Sequence, residues 1–379
     1  MLRFVAALAA VFLLASPASA QVTQWRVHGS EGLDAVLLIG AASGDVMQAE
    51  EYPEEIAWVR AHFSPEATAA LNALDQGLRV KGALTGPALA NFLSAGPTDS
   101  LDDVIATASD PDRFVRPRQV ELGAFDADDY RELTALMPSV VIALRALDAA
   151  GFRQWREQRE GAHIAAGIAA VEAAVAGHDV IAENQRFLAR RLDPDLEILV
   201  LAYCRPYGIR ISGQRFITHY SWDAGVQLRT AAHEIFHPPF DENDWRLTQR
   251  VARLKADPWM SSIVTTHDAR FGYNSFEGIL NEDSTQALDQ IVAERMGFAR
   301  NPRQRWAVDS DGGMHMLAAA LYQAMKEDGF DRRGGPYSDW LISALDRGML
   351  TPSEVRRRAA LVVGRQAVER WTPHAAPVQ

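Results

Sequence analysis

The stretch Asp223-Ala224-Gly225-Val226-Gln227-Leu228-Arg229-Thr230-Ala231-Ala232-His233-Glu234-Ile235-Phe236-His237-Pro238-Pro239 decides how the rest of the chain is read. Asp223 is a good N-cap, and the proline pair removes backbone donors and clashes with the preceding turn, so the pattern predicts a helix over 224–237. His233 and His237 stand four apart, hence on one face one turn from each other, where two imidazoles can converge on one zinc ion at about 2.0–2.1 Å. Glu234 lies beside them without ligating. It is placed to take a proton from a water that the metal makes more acidic and to pass it to a leaving amine. Ala231, Ala232, Ile235 and Phe236 give the helix an apolar side for packing. The chain's composition yields only about 0.015 accidental H-E-x-x-H matches, so the spacing carries information.

Upstream, the turn signal Asp193-Pro194-Asp195 leads into 196–203, rich in Ile, Val and Leu and too short for most helices. Tyr207-Gly208 and Ser212-Gly213-Gln214 then punctuate two further short strands, 209–211 and 215–220. These predict a small antiparallel sheet whose edge, at 207–220, flanks the motif helix. The lone Cys204 ends an apolar run and reads as a buried structural thiol, and His219 reads as a satisfied strand histidine. Residues 21–192 read mainly as helices: one opening at Ser64-Pro65-Glu66, one over 126–150 and one over 161–177. Pro97, Pro111 and Pro117 mark loops in 95–120. No chemical motif appears in this half, which suits scaffolding or substrate positioning. Downstream, helices are expected at 244–255, 274–296, 314–328 and 352–371. The expected fold is therefore α+β and predominantly helical: a helical domain over 21–192, then a domain over 193–379 holding the small sheet, the motif helix and C-terminal helices.

Residues 1–20 look like an export signal, with Arg3 as the positive start, an apolar run over 4–14 and Ala18-Ser19-Ala20 as a small-x-small cleavage site. The mature chain is expected in a periplasm or outside the cell, without a membrane span, since no later apolar stretch reaches about 18 residues free of charge. With 48% hydrophobic and 23% charged residues the chain must fold rather than remain disordered. A net charge of −11 repels phosphate backbones, so nucleic acid is not an expected partner.

A catalytic zinc wants a third protein ligand and an open position. Pro238-Pro239 breaks the chain where a continuing H-x-x-G-x-x-H pattern would need a turn and a third histidine, which excludes the metzincin arrangement. The segment Gly278-Ile279-Leu280-Asn281-Glu282 resembles instead the glutamate helix of the thermolysin-like gluzincin clan, in which the ligating residue follows an asparagine. The resemblance implies Glu282 as third ligand, with Glu277 and Asp283 as rivals. Two features depart from that pattern. Gln286 stands where the clan commonly has an aspartate orienting a ligand histidine, and the wide separation from His237 to Glu282 implies an inserted helix and loop across 241–271. Asp309-Ser310-Asp311-Gly312-Gly313-Met314-His315 is similar to the clan's segment carrying an oxyanion-stabilising histidine, which implies that role for His315, supported by Asp309 or Asp311. Tyr273 and His267 are rival donors.

The resemblance covers residues 196–315 and implies a zincin-like core and a zinc-dependent peptidase acting on peptide or protein. Two other classes compete with it: a non-catalytic cell-envelope binding or scaffold protein with a structural or vestigial zinc site, and a zinc amidase acting on cell-wall material.

Overall fold

The computed structural model describes residues 23–79 and 83–373; the expected export signal lies outside them. Helices dominate, and a single four-stranded sheet runs through the described residues. Its strands are β1 (Gln24–His28), β2 (Asp195–Leu201), β3 (Arg210–Ile211) and β4 (Arg215–His219), in the order β1-β2-β4-β3.

The sheet is mixed, which corrects the expectation of an antiparallel one. β1 and β4 both run parallel to β2, with Gln24 opposite Asp195 and Glu197 opposite Arg215, and only the β3–β4 pair is antiparallel. The turn at Ser212-Gly213 does make the expected hairpin. The neighbour of β2, however, is β4 rather than β3, and its other flank is taken by a strand from the start of the described chain. Parallel pairing requires a crossover, and almost the whole helical N-terminal half serves as the crossover from β1 to β2.

Parallel sheets are covered on both faces, and this one follows the rule. Leu196, Ile198, Val200 and Phe216 enter one apolar core together with the motif helix and the C-terminal helices. Leu199, Leu201 and Ile217 enter a second core built on the N-terminal helices. That alternation explains why 196–203 is apolar at nearly every position. At the centre of the second core lies helix Glu31–Ser43, which is buried on nearly all sides and capped by the Ser30 hydroxyl accepting from the Leu33 amide at 2.9 Å.

Several expected elements differ in extent. Pro97 lies in a loop as expected, but 101–121 is helical, with Leu101–Ser109, Pro111–Phe114 and Arg116–Glu121, because Pro111 and Pro117 occupy first-turn positions where the missing N–H costs nothing. The C-terminal helix divides into Pro352–Val363 and Arg365–Glu369 at Gly364, whose φ of 91° ends the first piece. The insertion between the motif and glutamate helices holds two helices, Trp245–Lys255 and Pro258–Thr266. No single described helix is long and apolar enough to cross a bilayer; the pair Ala127–Ala149 and Phe152–Val175, bent by 67°, passes that test only when taken together.

Candidate metal centre

The motif helix spans Ala224–Phe236 and starts where Asp223 Oδ1 accepts the Val226 amide at 2.9 Å. It ends one residue earlier than expected. His237 is its C-cap with an extended ψ of 129°, since a residue before proline is pushed out of the helical region. Arginines satisfy the carbonyls left open there: Arg190 donates to the oxygens of Ile235 at 2.9 Å and Pro238 at 2.7 Å, and Arg210 donates to that of His237 at 2.9 Å. The glutamate helix, Phe276–Met296, is capped by Ser275 and packs against the motif helix across the first core.

This packing brings His233, His237 and Glu282 together, with one ligand atom from each lying within 4.8 Å of the others. The two Nε2 atoms are 3.0 Å apart, and each lies 3.5 Å from a Glu282 oxygen. Tetrahedral bonds of about 2.0–2.1 Å imply ligand–ligand edges of about 3.3–3.4 Å. The residues present therefore fit a small divalent ion.

The hydrogen bonds around the group strengthen this fit. His233 Nδ1 faces Asp289 Oδ2 at 2.8 Å, an atom that accepts when ionised. His237 Nδ1 faces Asn281 Oδ1 at 2.8 Å, and the Asn281 amide nitrogen is spent on Glu242, so its oxygen must face the ring. Both imidazoles thus carry their protons on Nδ1, and both Nε2 atoms present bare lone pairs to a Glu282 carboxylate. Three acceptors facing one point with no hydrogen between them are mutually repulsive until a cation sits there. Without one, a proton must serve. Burial lowers the His233 pKa, but the Glu282 charge and the Asp289 hydrogen bond outweigh it and hold the imidazole well above its ordinary value. Burial likewise pushes Glu282 up, while the two histidines hold it well below the usual carboxylate range. A metal would displace the proton.

Asp289 was not singled out from sequence, although it stands seven residues after Glu282 on the same helix face. Arg305 holds it in place, Nη2 donating to Oδ2 at 2.9 Å. Gln286, expected near a ligand histidine, instead donates to Glu282 Oε1 at 2.9 Å and accepts from Trp306 Nε1 at 2.9 Å. Orientation of the first histidine has thus moved one turn along the helix, and the glutamine steadies the glutamate. Replacing Asp289 by alanine is expected to weaken metal affinity by about 10- to 100-fold, read by competition with a chromophoric chelator. Unchanged affinity would show that the imidazole is oriented without it.

A cavity of about 510 Å³ opens over the group, lined by His233, Glu234, His237, Tyr273 and Glu282. Glu234 is half-buried and lies in reach of the Arg210 backbone N–H; burial raises its carboxyl pKa against the pull of both histidines. Tyr273 adopts a left-handed φ of 57°, an arrangement that costs a bulky residue about 1–3 kcal/mol. Its hydroxyl reaches Glu282, and burial pushes its pKa up, so it remains a donor.

The other expected residues lie elsewhere. His315 is fully buried, with Nδ1 on Asp283 at 2.6 Å and Nε2 on Asp311 at 2.8 Å. Burial pushes it down, but Asp283 outweighs this and holds it at about 10, so neither N–H is free for an oxygen in the cavity. It stands behind Tyr273, the ring centroids 5.7 Å apart. Asp283 is thereby engaged away from the ligand group, and Glu277 is exposed and paired with Lys255. His267 faces the carbonyl oxygens of Ile263 and Gly272. His219 is a buried strand residue bonded to Ser221 and Ala202, and burial lowers its pKa to about 4. Cys204 is a buried free thiol whose pKa burial raises.

Fold and site together define a predominantly helical α+β protein with a His-His-Glu group able to hold a metal ion. Comparison of the chain with protein-family models, with curated proteins and with solved structures gives no match.

Proposed function

We propose that the protein is an exported, zinc-dependent hydrolase of peptide bonds, with His233, His237 and Glu282 as the metal ligands. The observation that carries this reading is the convergence of three lone-pair atoms on one point, each fixed from behind, with Glu234 in the same cavity and outside the ligand set. Zinc bound there supplies Lewis acidity toward a carbonyl oxygen and raises the acidity of water. Glu234, in the same cavity and outside the ligand set, takes a proton from the attacking water and delivers it to the leaving amine. Tyr273 is protonated and bonded to Glu282, and turning its single O–H from that carboxylate would let it donate to the oxygen on which negative charge develops. Asp289 and Asn281 hold the imidazoles in one tautomer.

Peptide is favoured over other amides because the sheet edge lies at the cavity. β3 is the outermost strand, and Gly208 and Ile209 just before it line the wall, so an extended chain can lie along backbone groups there.

The test is metal content by mass spectrometry. One zinc per wild-type chain is expected, lost or much weakened in both His233→Ala and Glu282→Ala. A wild-type chain that stays empty after zinc is supplied would overturn the proposal.

A further inference from the structure

The cavity is lined by side chains of both charges. Two of its acids are committed, Glu282 to the two histidines and Asp289 to His233 and Arg305. Arg229 and Arg300 line the same cavity. The half-buried Arg229 gives one N–H to the Phe298 carbonyl at 3.1 Å, leaving most of its five donors uncommitted, and no described carboxylate forms an ion pair with either arginine. Asp223 and Asp289 lie close enough to offset part of the Arg229 charge, but neither pairs with it directly, so its spare donors stay open to a ligand in the cavity. Burial and repulsion from Arg300 keep the Arg229 pKa down at about 10 against the pull of Asp223 and Asp289.

Their placement relative to the metal group is set by helix geometry. Arg229 stands four residues before His233 on the same face of the motif helix, a rise of about 6 Å. An extended peptide advances about 3.3–3.6 Å per residue. An anion held on Arg229 therefore sits one to two residues from a carbonyl placed at the ligand group. We propose that Arg229 and Arg300 form a subsite for a substrate carboxylate one or two residues from the bond that is cut. This rests on the peptidase reading. Every peptide brings such a group at its C-terminus, and an aspartate or glutamate side chain brings the same chemistry.

The test is calorimetric binding to the full zinc-supplied chain carrying Glu234→Gln, so that no probe is consumed. The probes are N-acetyl-Gly-Phe as free acid, its C-terminal amide, N-acetyl-Asp-Phe-amide and inorganic phosphate. The free acid is expected to bind about 10- to 100-fold more tightly than the amide, as a charge-assisted pair would require. Arg229→Gln should bring the acid down to the amide's affinity with unchanged zinc content, and Arg229→Lys should keep part of the difference, since an ammonium retains the charge without the planar fork. Should Arg229→Gln fail to fold, Arg300→Gln, at an exposed position, carries the same comparison and should narrow the gap. Stronger binding of the aspartyl amide than of the free acid would assign the subsite to an acidic side chain, and the reverse to a chain end. Equal binding of the acid, the amide and the aspartyl amide, or phosphate binding tighter than all three, would overturn the subsite. Zinc stoichiometry and turnover are separate measurements, so failure here is distinguishable from failure of the peptidase reading.

Discussion

Replacing Glu234 by glutamine is expected to leave one zinc per chain and to lower peptide-bond turnover by about 10²- to 10⁴-fold, the usual worth of a positioned proton shuttle. Glutamine keeps the shape and the reach toward the Arg210 backbone, and the three ligand atoms are untouched. What it removes is the capacity to accept a proton. The measurement is the cleavage rate of an internally quenched peptide library, alongside metal content of the same preparations. Full retained cleavage would sink the mechanism. Retained zinc with no cleavage by the wild type would instead favour a structural metal in a scaffold or binding protein.

The second large effect concerns stability. Asp34, fully buried, joins three parts of the fold: its Oδ2 accepts Arg156 Nε at 2.8 Å, and its Oδ1 accepts the amides of Ala202 at 2.8 Å and Tyr203 at 3.1 Å, just beyond β2. Asp34→Ala would leave a buried guanidinium unpaired and two amides without an acceptor. The expected loss is about 3–5 kcal/mol, as for breaking other buried pairs from one side. Urea denaturation followed by far-UV circular dichroism measures it. A change below about 1 kcal/mol would show that water reaches Arg156 and relieves its charge.

Local chemistry made much of the molecule legible. Asp223, Asp126 and Asp244, which open the expected helices, cap them, because capping involves only neighbouring residues. The apolar run before Cys204 forms a strand, and a helical spacing of four sets His233 and His237 one turn apart. Other features were hidden for an equally physical reason. β1, Gln-Trp-Arg-Val-His, alternates as a strand should, but among the described residues its strand partner is β2, far along the chain, so nothing nearby marks it as part of the sheet. His315 stands in a loop that suggests a donor, yet its use depends on Asp283 from another helix, which takes one nitrogen while Asp311 takes the other.

The amino-acid sequence by itself determined the helix-rich class, the motif helix with its paired histidines, and a second helix bearing a suitable glutamate, since each depends on periodicity and capping within a few residues. Only the tertiary structure decided that the sheet is mixed, that Asp289 and Asn281 rather than Gln286 orient the imidazoles, and that Arg229 and Arg300 share a wall with the metal group. Those facts depend on which helix faces pack together, and packing is settled by the joint burial of residues far apart in the chain.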